Sequence, residues 1–115
     1  MKKLNEKEME QVAGGVNSTI STEEIVRHKG SPVGQYDGIE GNTYFIESVA
    51  APRFLMIGKL IKTYESEASI YGNTMRKHDM QIIDINLESA YDHTYKVGQI
   101  LTINGSDCKL YEYVD

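Results

Sequence analysis

Gln99-Ile-Leu-Thr-Ile103, then Asn104-Gly105, then Ser106-Asp-Cys-Lys-Leu-Tyr-Glu-Tyr-Val114 is the stretch on which the fold class turns. Asn-Gly between two apolar, β-branched and aromatic runs is the strongest short-range hairpin signal. Both residues tolerate the positive φ that a type I′ turn requires. Gln99–Ile103 and Ser106–Val114 are therefore expected to be paired strands. On the second strand, Cys108, Leu110 and Val114 are expected on one face and Tyr111 and Tyr113 on the other, because side chains alternate along a strand.

Working outward, the neighbouring segments also read as strands. Met80-Gln-Ile-Ile-Asp-Ile-Asn-Leu87 places Met80 and Ile82 on one side, then Ile83, Ile85 and Leu87 shifted by one position. A bulge, or a strand buried on both faces, explains such a shift. In Phe54–Tyr64 the residues Phe54, Ile57, Ile61 and Tyr64 fit helical spacing, but Gly58 interrupts it. A long curved strand with a glycine bulge fits too and is the expected form, because its neighbours are strands. Thr43-Tyr-Phe-Ile46 is β-branched and aromatic and is bounded by Gly41-Asn42 and Pro52. The expectation is a mainly β domain over residues 43–115. It resembles a small five-stranded barrel or roll, SH3-like or OB-like, with the Tyr95-Lys-Val-Gly98 step entering a late strand.

Residues 16–42 are dense in turn formers: Asn17, Ser18, Gly30-Ser31-Pro32, Gly34, Asp37-Gly38 and Gly41-Asn42. This stretch reads as a flexible arm or linker. Within it, Ser21-Thr-Glu-Glu24 can cap a helical turn into Ile25-Val26, which can equally begin a short strand.

Residues 1–15 differ in character from all that follows. Asn5 can cap a helix, with Glu8 completing a capping box. Leu4, Met9 and Val12 fall within an arc of about 140° of a helical wheel. Gly14-Gly15 ends the segment, and glycine backbone can extend into a channel too narrow for other residues. Such a helix is too short to be stable alone and would order on docking to a groove.

This segment resembles the double-glycine leader of bacteriocin-type precursors. The family pattern has apolar residues at the positions of Leu4, Met9 and Val12, an acid at Glu8 and the glycine pair at Gly14 and Gly15. Asn5 stands where the family often has Ser, and Met9 replaces the commoner Leu. The resemblance covers 15 of the 115 residues. It implies recognition of Leu4, Glu8, Met9 and Val12 by the cysteine-peptidase domain of an ABC exporter. It implies cleavage between Gly15 and Val16, and secretion of the remainder from the cytoplasm where it is made.

Composition narrows what that remainder does. The leader side chains cancel, Lys2, Lys3 and Lys7 against Glu6, Glu8 and Glu10, so the whole net charge of −5 lies in residues 16–115. That disfavours nucleic acid and anionic lipid as partners. Membrane-active bacteriocins resemble short, cationic, glycine-rich peptides, so their killing activity is not implied here. No apolar run is long enough for a transmembrane helix, and no stable membrane insertion is expected. The segment after Lys2-Lys3 is too polar for a general secretory signal.

A single cysteine, Cys108, excludes an intramolecular disulfide and reads as a small apolar strand residue. His28, His78 and His93 show no metal-ligand spacing, and the pairs His78-Asp79 and Asp92-His93 read as solvated loops. Tyr111 and Tyr113 read as cross-strand packing, with an exposed binding patch as the alternative. No cofactor motif and no catalytic constellation is present, so an enzyme is not expected. Two readings remain: an exported precursor of a bacteriocin-like or signalling polypeptide with an unknown extracellular target, or a cytosolic β-barrel binding module whose N-terminal helix is structural.

Overall fold

The computed structural model describes residues 20–50, 53–67, 74–87 and 95–115. The leader thus lies outside the described residues. The described chain forms one antiparallel sheet of six strands with a single α-helical turn on its outer face. The strands are β1 (Lys29–Val33), β2 (Thr43–Ser48), β3 (Phe54–Glu67), β4 (Thr74–Leu87), β5 (Ile100–Asn104) and β6 (Cys108–Tyr113). Their spatial order is β1-β6-β2-β3-β4-β5.

The mainly β expectation holds, but the closed barrel does not. The sheet is open, with β1 and β5 as its edges. There are six strands because the segment read as a flexible arm supplies both the helical turn and β1. The turn density was real but local. Pro32 sits in an edge strand, where its missing N–H costs no ladder bond. A bulge between Lys29 and Pro32 absorbs the irregularity.

The helical turn α1 (Thr22–Val26) begins as the capping pattern suggested. Ser21 Oγ accepts from the Glu24 N–H at 3.2 Å, and Glu23 and Glu24 lie in the positively polarised first turn. Ile25 is fully buried, so the helical alternative prevails over the strand start. It packs on Phe45 and Ile57, with Ile20, Leu55, Tyr111 and Tyr113 at the margin. Tyr111 meets Phe45 edge-on at 5.8 Å between ring centroids. The tyrosine face of β6 therefore packs at the margin of this smaller cluster.

The other face holds the larger core, which includes Tyr44, Ile46, Met56, Leu60, Met80, Ile82, Ile85 and Leu110. β2 feeds both cores, Tyr44 and Ile46 to one face and Phe45 to the other, so all three are buried. Phe54–Tyr64 is strand rather than helix, as expected. Two register breaks bend the β3–β4 hairpin, one between Ile57 and Gly58 and one between Leu60 and Lys62. The first leaves Ile83 as the extra residue on β4, which explains the shifted apolar pattern there. The second leaves Ile61 extra on β3. Both isoleucines are exposed, because a bulge residue loses its place in the alternation.

The Asn104-Gly105 hairpin is the main correction. β5 and β6 both form, but they do not pair with each other. Among the described residues β5 pairs only with β4, while β6 lies between β1 and β2. Asn104 has φ −71° and ψ 136°, and among the described residues only Gly41 and Gly98 have positive φ. Gly105–Asp107 form a 3-10 turn that sends the chain from one sheet edge to an interior position. The physical reason is burial. Cys108 and Leu110 join the inner core and Tyr111 meets Phe45 on the other face, and between β1 and β2 the strand is paired on both edges. Val114, expected on the Cys108 face of this strand, lies beyond β6 and is exposed.

Candidate functional site

The sequence-derived recognition residues Leu4, Glu8, Met9 and Val12, and the cleavage residues Gly14, Gly15 and Val16, lie outside the described residues. Two other features of the fold stand out.

The first is a groove of about 730 Å³ between β1, the loop 34–42 and the facing ends of β2 and β6. Val33, Asp37, Ile39, Tyr44, Glu112 and Val114 contribute to its walls. The loop is held in place from several sides. Asp37 N–H donates to Gly34 O at 2.9 Å, Ile39 N–H to Tyr44 Oη at 2.8 Å, and Gly41 N–H to Leu60 O at 2.7 Å. Glu40 accepts from the Thr63 N–H at 2.9 Å. Gly41, at φ 95°, makes the last reversal that an L-side chain would resist. This pinned loop presents Tyr36 and Ile39 to solvent, at 63% and 61% exposure. Large exposed side chains on a rigid loop beside a concavity suit binding rather than packing.

The second is a buried polar cluster on β3 and β4. His78 is not the solvated loop residue that its polar neighbours suggest: it sits in β4 with 0% exposure. Its Nδ1 lies 3.0 Å from Thr63 Oγ1, and its Nε2 has no partner among the described residues. Burial, and then the nearby Arg76 charge, hold the imidazole below its ordinary pKa. Arg76 donates to Glu65 Oε1 at 3.3 Å and lies 4.9 Å over the Tyr36 ring, while its Nε has no partner among the described residues. This cluster ties the long hairpin to the groove loop. Its geometry provides no route for a substrate to His78.

His28 is structural. Its Nδ1 donates to Val114 O at 2.7 Å, and its ring stacks on Tyr113 at 5.1 Å. Burial, helped by Asp115 and Asp84, raises the Tyr113 phenol. His93 lies outside the described residues. Cys108 is buried as expected, and burial with the Asp107 charge pushes its thiol up to about 12. It is no nucleophile at neutral pH. Among the described residues no three His, Cys, Asp or Glu side chains gather as a metal site. Among them, too, no helix is long and apolar enough to cross a membrane.

No protein-family pattern, curated protein or solved structure matches the chain. The sequence reading missed Tyr36, Ile39, Arg76 and His78. The signal for the first two was present as isolated apolar residues within a glycine-rich loop. Nothing local marked His78 for burial, since His-Asp in a polar run looks like a surface pair.

Proposed function

We propose that the chain is the precursor of an exported, bacteriocin-like or signalling β protein, cleaved between Gly15 and Val16 by a peptidase-containing ABC transporter. The observation that carries this reading is the spacing of Leu4, Glu8, Met9, Val12 and Gly14-Gly15. These positions stand ahead of a fold whose first described element starts at Thr22, capped by Ser21. Cleavage after Gly15 would thus leave every described strand and α1 intact. The cysteine-peptidase domain of the exporter is the partner of the leader, and the mature part is secreted.

The released domain acts by binding. The groove beside Tyr36 and Ile39 supports this, together with a cysteine that stays protonated. The same groove supports the second reading, a cytosolic binding module that keeps residues 1–15. The deciding experiment is co-expression with an exporter of this class and mass spectrometry of the medium. Exported material should begin at Val16, and Gly14→Val should remain uncut, because a β-branched side chain blocks a narrow channel. An intact Met1 on exported protein, or a different cut, would overturn the proposal.

A further inference from the structure

The two edges of the sheet are not alike. β1 carries Pro32 and a register break, both of which discourage pairing with another strand. β5 carries neither. Its sequence, Ile100-Leu-Thr-Ile-Asn104, has no charge, no proline and no glycine. The direction of its free backbone groups follows from the ladder. Gln99 O accepts from Ile82 N–H at 2.9 Å, and the register continues as Met80 opposite Leu101 and His78 opposite Ile103. Antiparallel strands alternate between residues that bond to a neighbour and residues that face away from it. Leu101 and Ile103 therefore bond to β4, and Ile100 and Thr102 aim their N–H and C=O groups away from the sheet. Both residues have exposed side chains, and Ile100 is 55% exposed.

We infer that β5 is a self-association edge, and that its occupant is β5 of a second copy of this chain. Outward-facing N–H and C=O groups at alternate residues are satisfied by an extended strand. An antiparallel copy related by a two-fold axis at Leu101 sets Ile100 opposite the partner's Thr102 and Thr102 opposite the partner's Ile100. About four backbone hydrogen bonds result. The same axis brings the two Leu101 side chains together on the face that carries Ile103, extending the inner apolar layer. The chain carries a net −5, yet β5 itself brings no charge to the axis; the carboxylate beside it, Asp79 on β4, accepts from Thr102 Oγ1 at 2.7 Å and lies one strand back from the partner. A single unguarded edge among the described strands also limits the assembly. Pairing β5 to β5 consumes the open edge of both copies, and the guarded β1 edges stop growth at two. The contact is a weak one, since a five-residue edge buries far less than the ~1,200 Å² of a stable interface.

Sedimentation equilibrium on the full chain, from about 10 μM to 1 mM, tests the inference. The weight-average mass should rise from 13.0 kDa towards twice that value. Thr102→Pro removes an outward N–H and leaves the bonds of Leu101 and Ile103 to β4, so it should weaken dimerisation at least tenfold. Thr102→Val keeps that N–H and should still dimerise. Ile100→Lys, which places like charges beside the axis, is the second disrupting variant should the proline variant fold poorly. In amide spectra, concentration-dependent shifts should centre on Ile100 and Thr102. A mass that stays at 13.0 kDa throughout, shifts centred on Lys29–Val33, or a dimer indifferent to both disrupting variants would overturn the assignment.

Discussion

The hydroxyl of Thr63 lies 3.0 Å from Nδ1 of His78, a contact between β3 and β4 within the buried face of their hairpin. It holds a neutral imidazole where a charged one is disfavoured by burial and by Arg76.

This sets a direction for pH. The folded-state pKa of His78 lies below the unfolded value of 6.5, so the unfolded chain binds more protons as the solution is acidified. The stability contribution is complete above pH 6.5 and declines as pH falls below it. Urea midpoints should drop between about pH 7 and pH 5.5, with a slope of at most about 1.4 kcal/mol per pH unit from this one group. His78→Leu should flatten that limb. An unchanged slope in the variant would show that His78 is not the responsible group.

Gly30 faces the backbone of β6. A Cβ there would sit 2.7 Å from the Glu112 carbonyl oxygen and 3.0 Å from Glu112 Cβ. Carbonyl oxygen in a ladder cannot swing aside as a side-chain end can. Gly30→Ala should therefore cost about 1–3 kcal/mol, outweighing the usual gain in chain entropy of about 0.4–1 kcal/mol. Chemical denaturation measures it directly, and an equal or higher midpoint would contradict the β1–β6 packing.

Cys108 should be inert in the folded protein. With its thiol pushed up from 9.0 to about 12, the thiolate population near pH 8 falls by roughly three orders of magnitude. Alkylation should be very slow natively and fast in concentrated urea. Rapid native labelling would mean that the β6 core opens far more often than its burial implies.

Removal of residues 1–15 should shift the melting temperature by no more than about 2 °C. Ser21, which caps α1, and Ile25, which anchors it, both lie downstream of the cut. A larger loss would place the leader within the stable fold and favour the cytosolic reading over the export substrate.

The export proposal also ties stability to transport. Ile85 is fully buried in the inner core, so Ile85→Ala should cost about 2–5 kcal/mol. A folded six-stranded sheet is wider than an extended chain, so this variant should cross into exporter-containing vesicles as fast as the parent or faster. Equal rates for stabilised and destabilised cargo, with normal cleavage, would show that unfolding does not limit transport.

Strands β2 to β6, the Ser21 cap and the shift in β4 were legible in the sequence because each depends on neighbours a few residues away, whereas the bulge on β3 falls at Ile61 and not at Gly58. Alternation broken at Ile83 means a bulge wherever the strand ends up. The tertiary structure alone decided which strands pair, which part of the supposed arm joins the sheet, and where His78 sits. Asn104-Gly105 permits a type I′ turn but does not compel one. The burial of Cys108 and Leu110, with Tyr111 packed on Phe45, outweighs the local preference. Likewise Lys29–Val33 is a poor strand by composition and becomes one because β6 offers it a free edge. Local propensity is worth tenths of a kcal/mol per residue, while burying one large apolar side chain is worth about 1.5–3 kcal/mol. Where the two compete, long-range burial fixes the pairing.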